Sequence, residues 1–322
     1  MADKRRRGGD SQAAGRAMRL VAVLVVVVVL VAGVVFVWWE RLPTEQELRV
    51  RAGLDGKDEL LVGVIGDMPG ISLRDPDTAA FSGFDVDIAR MVGSDLGFTS
   101  DDVRILTVRN EDRETMRAFD RERYVQLDLV VASFSITDER EALPEVTFSA
   151  PYLITELSAV TRTGHPPLQS LEDLRGQPVC TLTTSTALPP ADLAGVDLRG
   201  RNQISDCVPG LLDGTYQAMV TDAAILAGFV AQRPKELTFH DIGQSGQERW
   251  GINTGGNEEL RTLVNLALCR SRHDADDRRW EDAFDRHLRL PYFGQDVATD
   301  EQPAVTGVAV RTLPGRLPDA CR

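Results

Sequence analysis

The stretch LDLVVASFSITDEREALPEVTFSAPY, residues 127–152, decides the fold class of this chain. It begins with a mostly apolar run over 127–131, which predicts a buried strand. The strand ends in small hydroxyl residues, Ser133 and Ser135, and Arg140 follows where TDER predicts a helix start. In α/β proteins ligands bind where a strand ends and a helix begins. A guanidinium beside hydroxyls predicts a carboxylate site, although a helix cap next to a surface arginine gives the same pattern.

Strands and helices alternate along the rest of the first half. Apolar runs predict strands over 60–65 and 103–108, an apolar stripe predicts a helix over 85–96, and a second helix is expected over 111–120. Asp85 stands where an N-cap is expected for the first of these helices. The alternation predicts an α/β lobe with a largely parallel sheet, and a similar alternation between about 171 and 222 predicts a second lobe.

Three further segments, taken with the opening stretch, give a family resemblance. They are GFDVDIARMVGSDLGF at 83–98, GTYQAMVTDAAIL at 214–226 and ERWGINTGGNEELRTLVNLAL at 248–268. The opening stretch adds D-L-V, S-x-S-x-T-x-x-R and F-S-x-P-Y. In this order they resemble the signatures of the family 3 solute-binding proteins, the polar amino acid receptors of ABC importers. The resemblance is to the actinobacterial glutamate-binding branch in particular, and it covers about residues 58–290.

The resemblance implies a two-lobed α/β fold, the type II periplasmic-binding-protein-like fold, with the ligand between the lobes. Two hinge strands would cross near 154–162 and 247–253. The first lobe would be discontinuous, formed by residues 58–156 with 250–292, and the second lobe would span 157–249.

The resemblance also implies roles for individual residues. Arg140 would hold the α-carboxylate of an amino acid with two charge-assisted hydrogen bonds, and Asp222 would bind its α-ammonium. Hydroxyl and backbone groups of four residues would complete the site: Ser133, Ser135, Ser185 and Thr186. An ordinary helix N-cap is the alternative for Asp222, Ser185 and Thr186.

The place of the ligand side chain departs from the family pattern. Many relatives hold this side chain between aromatic rings, but the corresponding segments 66–73 and 108–114 contain no aromatic residue. Arg113 or Arg109 would meet a side-chain carboxylate, which indicates glutamate or aspartate. Exposed helix arginines would give the same sequence.

The N-terminal region predicts a membrane anchor. Residues 20–39 are apolar and uncharged, long enough to cross the roughly 30 Å bilayer core. The basic cluster in residues 1–19 places that end in the cytoplasm and the C-terminal domain outside the cell. A cleaved signal peptide is the alternative, but no small-x-small site follows. Residues 40–57 are expected to be a linker and 293–322 a loosely ordered tail held at Cys321.

Four cysteines have no CxxC spacing, so a zinc ribbon is not expected. Outside the membrane an even count favours two disulfides, and four reduced thiols would require a cytoplasmic location. The glutamate-binding branch is similar in having a cysteine at the positions of both Cys180 and Cys207. The resemblance thus implies that these two pair, which leaves Cys269 and Cys321 to each other.

Charge and motifs narrow the function. The net charge of −13 disfavours nucleic acid as a partner. The histidines lack metal-site spacing and no nucleotide-binding or nucleophile motif occurs, so neither cofactor nor enzymatic activity is expected. The first hypothesis is a monomeric, membrane-tethered receptor that delivers glutamate, aspartate or glutamine to ABC permease subunits. The alternatives are an extracellular sensor acting through a membrane signalling partner, and a cleft enzyme of the dehydratase type.

Overall fold

The computed structural model divides the chain into two compact units, residues 1–43 and 44–322. The described residues are 18, 21–34, 42–185, 195–242, 247–289, 297–311 and 321. In the first unit, residues 21–34 are helical with exposed side chains. Within the described ranges, no helix combines the length and hydrophobicity needed to cross a membrane. The transmembrane helix predicted over 20–39 lies partly outside those ranges.

The second unit contains fourteen strands and seven α-helices within the described ranges. The strands are β1 Leu60–Val64, β2 Asp67–Met68, β3 Ser72–Arg74, β4 Phe81–Ser82, β5 Val103–Thr107, β6 Arg117–Asp120, β7 Arg123–Gln126, β8 Leu129–Val130, β9 Leu153–Arg162, β10 Pro178–Leu182, β11 Asp197–Arg201, β12 Ala218–Asp222, β13 Leu237–Asp241 and β14 Gln247–Trp250. The helices are α1 Glu45–Arg51, α2 Phe84–Asp95, α3 Asp138–Glu141, α4 Cys207–Asp213, α5 Ala223–Gln232, α6 Glu258–His273 and α7 Arg279–Phe284.

The first lobe is built on the parallel sheet β5-β1-β8. Helix α2 packs on this sheet because Ile88 and Val92 lie on its buried face. Gly93 permits the close approach, since a Cβ at that position would lie 2.5 Å from the Val103 side chain. Strands β1 and β5 and helix α2 are found at nearly their predicted bounds, whereas the strand predicted over 127–131 is only the two residues of β8.

The second lobe is built on a mixed sheet in the order β11-β10-β12-β9-β13. Strand β10 is parallel to β11 and β12, whereas β9 is antiparallel to β12 and β13. The first half of β9 pairs instead with β14, antiparallel. Trp250, at the end of β14, bridges back to Ser135 of the first lobe. These two strands therefore connect the sheets, near the segments predicted to cross, while the exact lobe boundaries stay a prediction.

Both predicted disulfides are confirmed. Cys180 of β10 is joined to Cys207, the first residue of α4, with their Cα atoms 5.7 Å apart. Cys269 of α6 is joined to Cys321, with a Cα separation of 6.0 Å. The first bridge fixes α4 against the sheet of the second lobe, and the second attaches the C-terminal end to the first lobe.

The predicted linker 40–57 needs correction. Thr44 and Glu47 form a reciprocal capping box that starts α1, and Leu48 of this helix is buried. Arg270 of α6 donates to the Glu45 carboxylate at 2.7 Å, which holds α1 against α6. A single buried leucine in a polar segment was too weak a periodic signal to predict this helix.

Two other expectations are wrong. The predicted helix 111–120 is a short 3-10 turn, Asn110–Asp112, followed by the hairpin of β6 and β7. The side chains of β6 alternate, with Ala118 buried and Phe119 exposed, which is the period of a strand. The tail is not loose over 297–311, because valines there are buried and the Gln302 amide donates to the α6 backbone at 2.8 Å.

Candidate ligand-binding site

A small cavity of about 20 Å³, roughly the space of one water molecule, lies between the two sheets. Both lobes contribute to its lining, which consists of Arg113, Ser133, Ser135, Arg140, Leu182, Thr184, Ser185, Thr221, Asp222 and Ile225. The structure thus brings together six of the seven residues predicted to bind a ligand. The seventh, Thr186, lies outside the described residues. A larger cavity elsewhere, lined by residues such as Thr155 and Thr299, holds none of the predicted residues.

Arg140 is held at the start of α3 and points across the cavity. The Thr137 hydroxyl caps this helix by accepting from the Arg140 backbone N–H at 3.3 Å. Its guanidinium donates Nη1 to the Ser135 carbonyl at 2.8 Å and Nη2 to the Thr184 carbonyl, in the second lobe, at 2.9 Å. Arg140 therefore contacts both lobes from within the cavity. A surface arginine beside a helix cap, the alternative interpretation of the sequence, would contact only one lobe.

Arg113 enters the same cavity from the 3-10 turn that precedes β6. Its Nε donates to the Asn110 carbonyl at 3.1 Å, and Nη1 donates to the Ala132 carbonyl at 3.2 Å. Nη2 donates to the Thr184 hydroxyl at 3.1 Å. The sequence left Arg113 and Arg109 as alternatives, and the structure separates them. Arg113 is 4% exposed, whereas the Arg109 side chain is 55% exposed and paired with Asp112.

The two arginines share one aromatic ring. The guanidinium carbons of Arg113 and Arg140 lie 4.7 and 4.5 Å from the centroid of the Phe134 ring, a distance at which cations are attracted to a π face. Burial, followed by repulsion from Arg140, lowers the pKa of Arg113 to about 9. Burial also lowers the pKa of Arg140. The cavity is thus cationic, and a bound anion would relieve the repulsion.

Asp222 faces these arginines from the end of β12. Its Oδ2 accepts a hydrogen bond from the Trp250 indole at 2.6 Å, and the residue is 5% exposed. Asp222 occupies the N-cap position of α5, but its side chain makes no capping hydrogen bond. Burial, followed by the nearby Glu248 charge, raises the pKa of Asp222 to about 7. An ammonium group in the cavity would stabilise the ionised form of this carboxyl.

Ser133 does not play its predicted role. Its backbone N–H donates to the Asp85 carboxyl at 2.9 Å and to the Tyr152 hydroxyl at 3.2 Å, so this N–H is not available to a ligand. The φ angle of Ser133 is +42°, in the left-handed region, and the Asp85 bond holds this conformation. The Ser133 carbonyl also accepts from Arg113 at 3.3 Å, so the residue supports the site from behind.

Asp85 is likewise not the predicted helix cap. Helix α2 begins after Gly83, and the Asp85 side chain is fully buried, accepting from the Tyr152 hydroxyl at 2.8 Å. Burial raises the pKa of Asp85 to about 8 despite these hydrogen bonds. Asp85 therefore lies behind the cavity as a support for Ser133.

Sequence reasoning missed Phe134 and Trp250 beside the cavity, and four residues of its lining: Leu182, Thr184, Thr221 and Ile225. Ser135 pairs with Trp250 in an isolated antiparallel bridge, formed by hydrogen bonds from the backbones of neighbouring residues. This bridge joins the opening stretch of the first lobe to β14. Thr184 follows β10 directly, so its position at a strand end was the signal that could have found it. No comparable signal marked Phe134 as the ring beneath both arginines.

Comparisons with known proteins identify the family of the chain. Residues 60–282 match the family model of bacterial extracellular solute-binding proteins, family 3. The chain is 35% identical over 230 residues to the glutamate-binding protein GluB of Corynebacterium efficiens, covering 68% of this chain and 76% of that protein. It is 26% identical over 248 residues to the glutamine-binding protein GlnH of Bacillus subtilis, covering 74% and 84%.

Solved structures have the same fold. The solute receptor for L-cysteine of Neisseria gonorrhoeae superimposes with a TM-score of 0.65 at 25% identity, covering 77% of this chain and 96% of that one. An ancestral arginine-binding protein bound to glutamine gives a TM-score of 0.61 at 26% identity, covering 74% and 99%. The fold is therefore the type II periplasmic amino-acid-binding fold, and at the family level these proteins are not enzymes. The chain belongs to the bacterial extracellular solute-binding proteins, family 3.

Proposed function

We propose that this protein binds an acidic amino acid, L-glutamate in first place, and delivers it to an ABC importer. One observation carries the proposal. Two buried arginines, Arg113 and Arg140, line one small cavity together with a single buried carboxylate, Asp222. An amino acid with a second carboxylate matches each of these three groups with an opposite charge.

Charge balance favours glutamate over glutamine. The three ionisable groups of the lining carry an excess of one positive charge, and glutamate carries an excess of one negative charge. Glutamine is neutral overall and would leave one buried guanidinium without an anionic partner. Leaving a buried charge uncompensated costs about 3–5 kcal/mol, more than a hundredfold in affinity. Glu114 and Glu248 also affect Arg140 from outside the lining, and they reduce this difference without removing it.

The assignment of groups follows the predicted roles. Arg140 would hold the α-carboxylate, Arg113 the side-chain carboxylate and Asp222 the α-ammonium. The Ser135 and Ser185 groups at the two strand ends would supply further hydrogen bonds. Support for this arrangement comes from the positions of the two arginines, which both reach Thr184 from the first lobe.

Calorimetric titration of the full chain in detergent tests the proposal. Glutamate is expected to bind most tightly, then aspartate, with glutamine weaker and leucine showing no heat of binding. Glutamine binding as tight as glutamate binding would contradict the charge argument. A lack of binding by every acidic or amide amino acid would overturn the proposed function.

We further propose that residues 20–39 anchor the protein in the cell membrane with the C-terminal domain outside. The support is the uncharged apolar run and the exposure of its valine and leucine side chains over the described helix, 49–66% for the large ones from Val21 to Val34. Such side chains are expected to face lipid. The protein should remain with membranes after a high-salt wash, and release of a shortened soluble form would contradict an uncleaved anchor.

A further inference from the structure

Three contacts, among others between described residues of the two lobes, lie outside the cavity. The Asp67 carboxylate, just after β1, accepts from the backbone N–H of Ser205 in the second lobe at 3.0 Å. The Asn110 amide donates to the Asn202 carbonyl at 2.8 Å. The third contact is between Gly228 of α5 and the backbone of the first lobe at residue 69. None of these three contacts involves a group assigned to the ligand.

The third contact shows how closely the lobes meet on this side. A Cβ built on Gly228 would lie 1.8 Å from the Pro69 carbonyl oxygen, so only glycine permits the approach. Pro69 directly follows β2, two residues after Asp67, and both lie near the second lobe. The carboxylate of Asp67 is therefore enclosed between the lobes.

The surroundings of Asp67, the first residue of β2, are unusual for a carboxylate. Its Oδ1 is buried without a hydrogen-bond partner among the described residues. Burial raises the pKa of Asp67, although the hydrogen bonds from Ser205 oppose this, and the Asp206 charge adds to it. The elements packed on β2 contribute few charged groups. Helix α5 contains no titratable residue. Strand β3 contributes Arg74, whose guanidinium lies 5.9 Å from the centroid of the Phe81 ring.

We propose that Asp67 is an interlobe latch, a positioning residue that holds the lobes together by accepting the Ser205 N–H. This bond can form only when the lobes meet, because its two atoms belong to different lobes. The latch therefore favours the closed arrangement directly, and it favours bound ligand only through closure. The latch proposal rests on the proposed function only in the measurements of closure that use glutamate as the ligand.

The chemistry of the latch separates two substitutions. Asp67→Ala removes the acceptor and leaves the Ser205 N–H without its partner. Asp67→Asn keeps a carbonyl oxygen that accepts the same N–H, and it removes a buried charge whose second oxygen is unpartnered. Alanine is therefore expected to weaken closure, while asparagine is expected to preserve or strengthen it.

Protonation gives a second signature. Because the pKa of Asp67 is higher when the lobes meet than for an exposed aspartate, lower pH favours the closed arrangement. The closed fraction should fall as pH rises through the closed-state pKa of Asp67. Asp67→Asn should lack the part of this dependence that comes from Asp67, since an amide does not titrate, while the part from Asp222 in the cavity remains.

Distance measurements by electron spin resonance test the latch on the full chain in detergent. Spin labels at Ser100→Cys and Lys235→Cys, exposed positions on the two lobes, react selectively because the native cysteines are all in disulfides. Asp67→Ala should lower the ratio of closed to open molecules about five- to tenfold, with or without glutamate. Asp67→Asn should match or exceed wild type. Asp77→Ala, at an exposed aspartate of the same lobe, serves as the control.

The outcomes are distinct from those of the proposed function. An unchanged closed fraction in Asp67→Ala overturns the latch, and so does an asparagine variant as open as the alanine variant. If glutamate changes no distance and gives no heat, the proposed ligand is wrong, while the ratios measured without ligand still decide whether Asp67 is a latch.

Discussion

Replacing Arg113 by glutamine should change which amino acid the cavity prefers. Arg113 is 4% exposed and anchored by three of its nitrogens, so its charge has a fixed position. Truncating one partner of a buried, hydrogen-bonded charge pair costs about 2–5 kcal/mol. Glutamate affinity should therefore fall about 30-fold or more. Glutamine loses no charge pair, so its affinity should change far less and the preference should narrow or reverse.

The chain offers a matched control for this substitution. Arg109→Gln removes the same charge four residues earlier, but from an exposed side chain paired with Asp112 and the Tyr124 hydroxyl. Both variants lower the net charge equally, so long-range attraction of an anionic ligand changes in the same way. Only Arg113→Gln should alter the ratio of glutamate to glutamine affinity.

Competition calorimetry with both amino acids measures that ratio, and thermal unfolding checks that each variant is folded. Relief of the repulsion between Arg113 and Arg140 offsets part of the stability lost with the Arg113 hydrogen bonds. A folded Arg113→Gln protein that keeps the wild-type ratio would refute the assignment of the side-chain carboxylate to Arg113. A changed ratio in Arg109→Gln would transfer that role to the other arginine.

Two predictions concern pH and one concerns a disulfide. Glutamate affinity should rise through about pH 7 as Asp222 ionises and fall above about pH 9 as Arg113 loses its proton; calorimetry over this range showing a flat profile would contradict both roles. The raised pKa of Asp85, about 8 against about 3.9 unfolded, gives stability that is fully present below about pH 4 and is lost as pH rises to 8. The free energy of unfolding, measured with urea at several pH values, should depend less steeply on pH in Asp85→Asn than in the wild type. An unchanged dependence on pH would exclude Asp85 as its cause. Replacing Cys180 and Cys207 by serine should lower the free energy of unfolding by about 3–4 kcal/mol and weaken binding, because the bridge closes a 27-residue separation; full stability in the variant would be the contrary result.

The central sheet of the first lobe could be predicted because its signals are strong and local. Apolar runs at β1 and β5 and the stripe of α2 each have one dominant period. The segment 111–120 failed because its charged residues give no clear period, and tertiary packing of Ala118 decided in favour of a hairpin. The prediction of a linker in place of helix α1 was wrong for a related reason, because the contact of α1 with α6 is not visible in the local sequence.

The charged groups of the site could be predicted from the sequence, but the buried residues that hold them in place could not. Arg140 and Asp222 lie at helix and strand ends, where ligands bind in α/β folds, so their positions in the sequence indicate ligand binding. Asp85 had the sequence position of a cap, but the fold uses its carboxyl to bind the Ser133 N–H. Contacts of this kind join residues 48 apart, and no local pattern records them.

The cavity illustrates why the net charge of a protein does not determine the charge of its ligand. The chain carries −13 overall, yet two arginines lie against one phenylalanine ring inside it. Surface carboxylates are screened by water and salt within about 10 Å, whereas buried charges are screened much less. Burial is the first cause of the lowered pKa of both arginines, and repulsion from Arg140 adds to it for Arg113. A second carboxylate placed between the lobes would neutralise this excess, and because Thr184 of the second lobe already contacts both arginines, the same step would draw the lobes together.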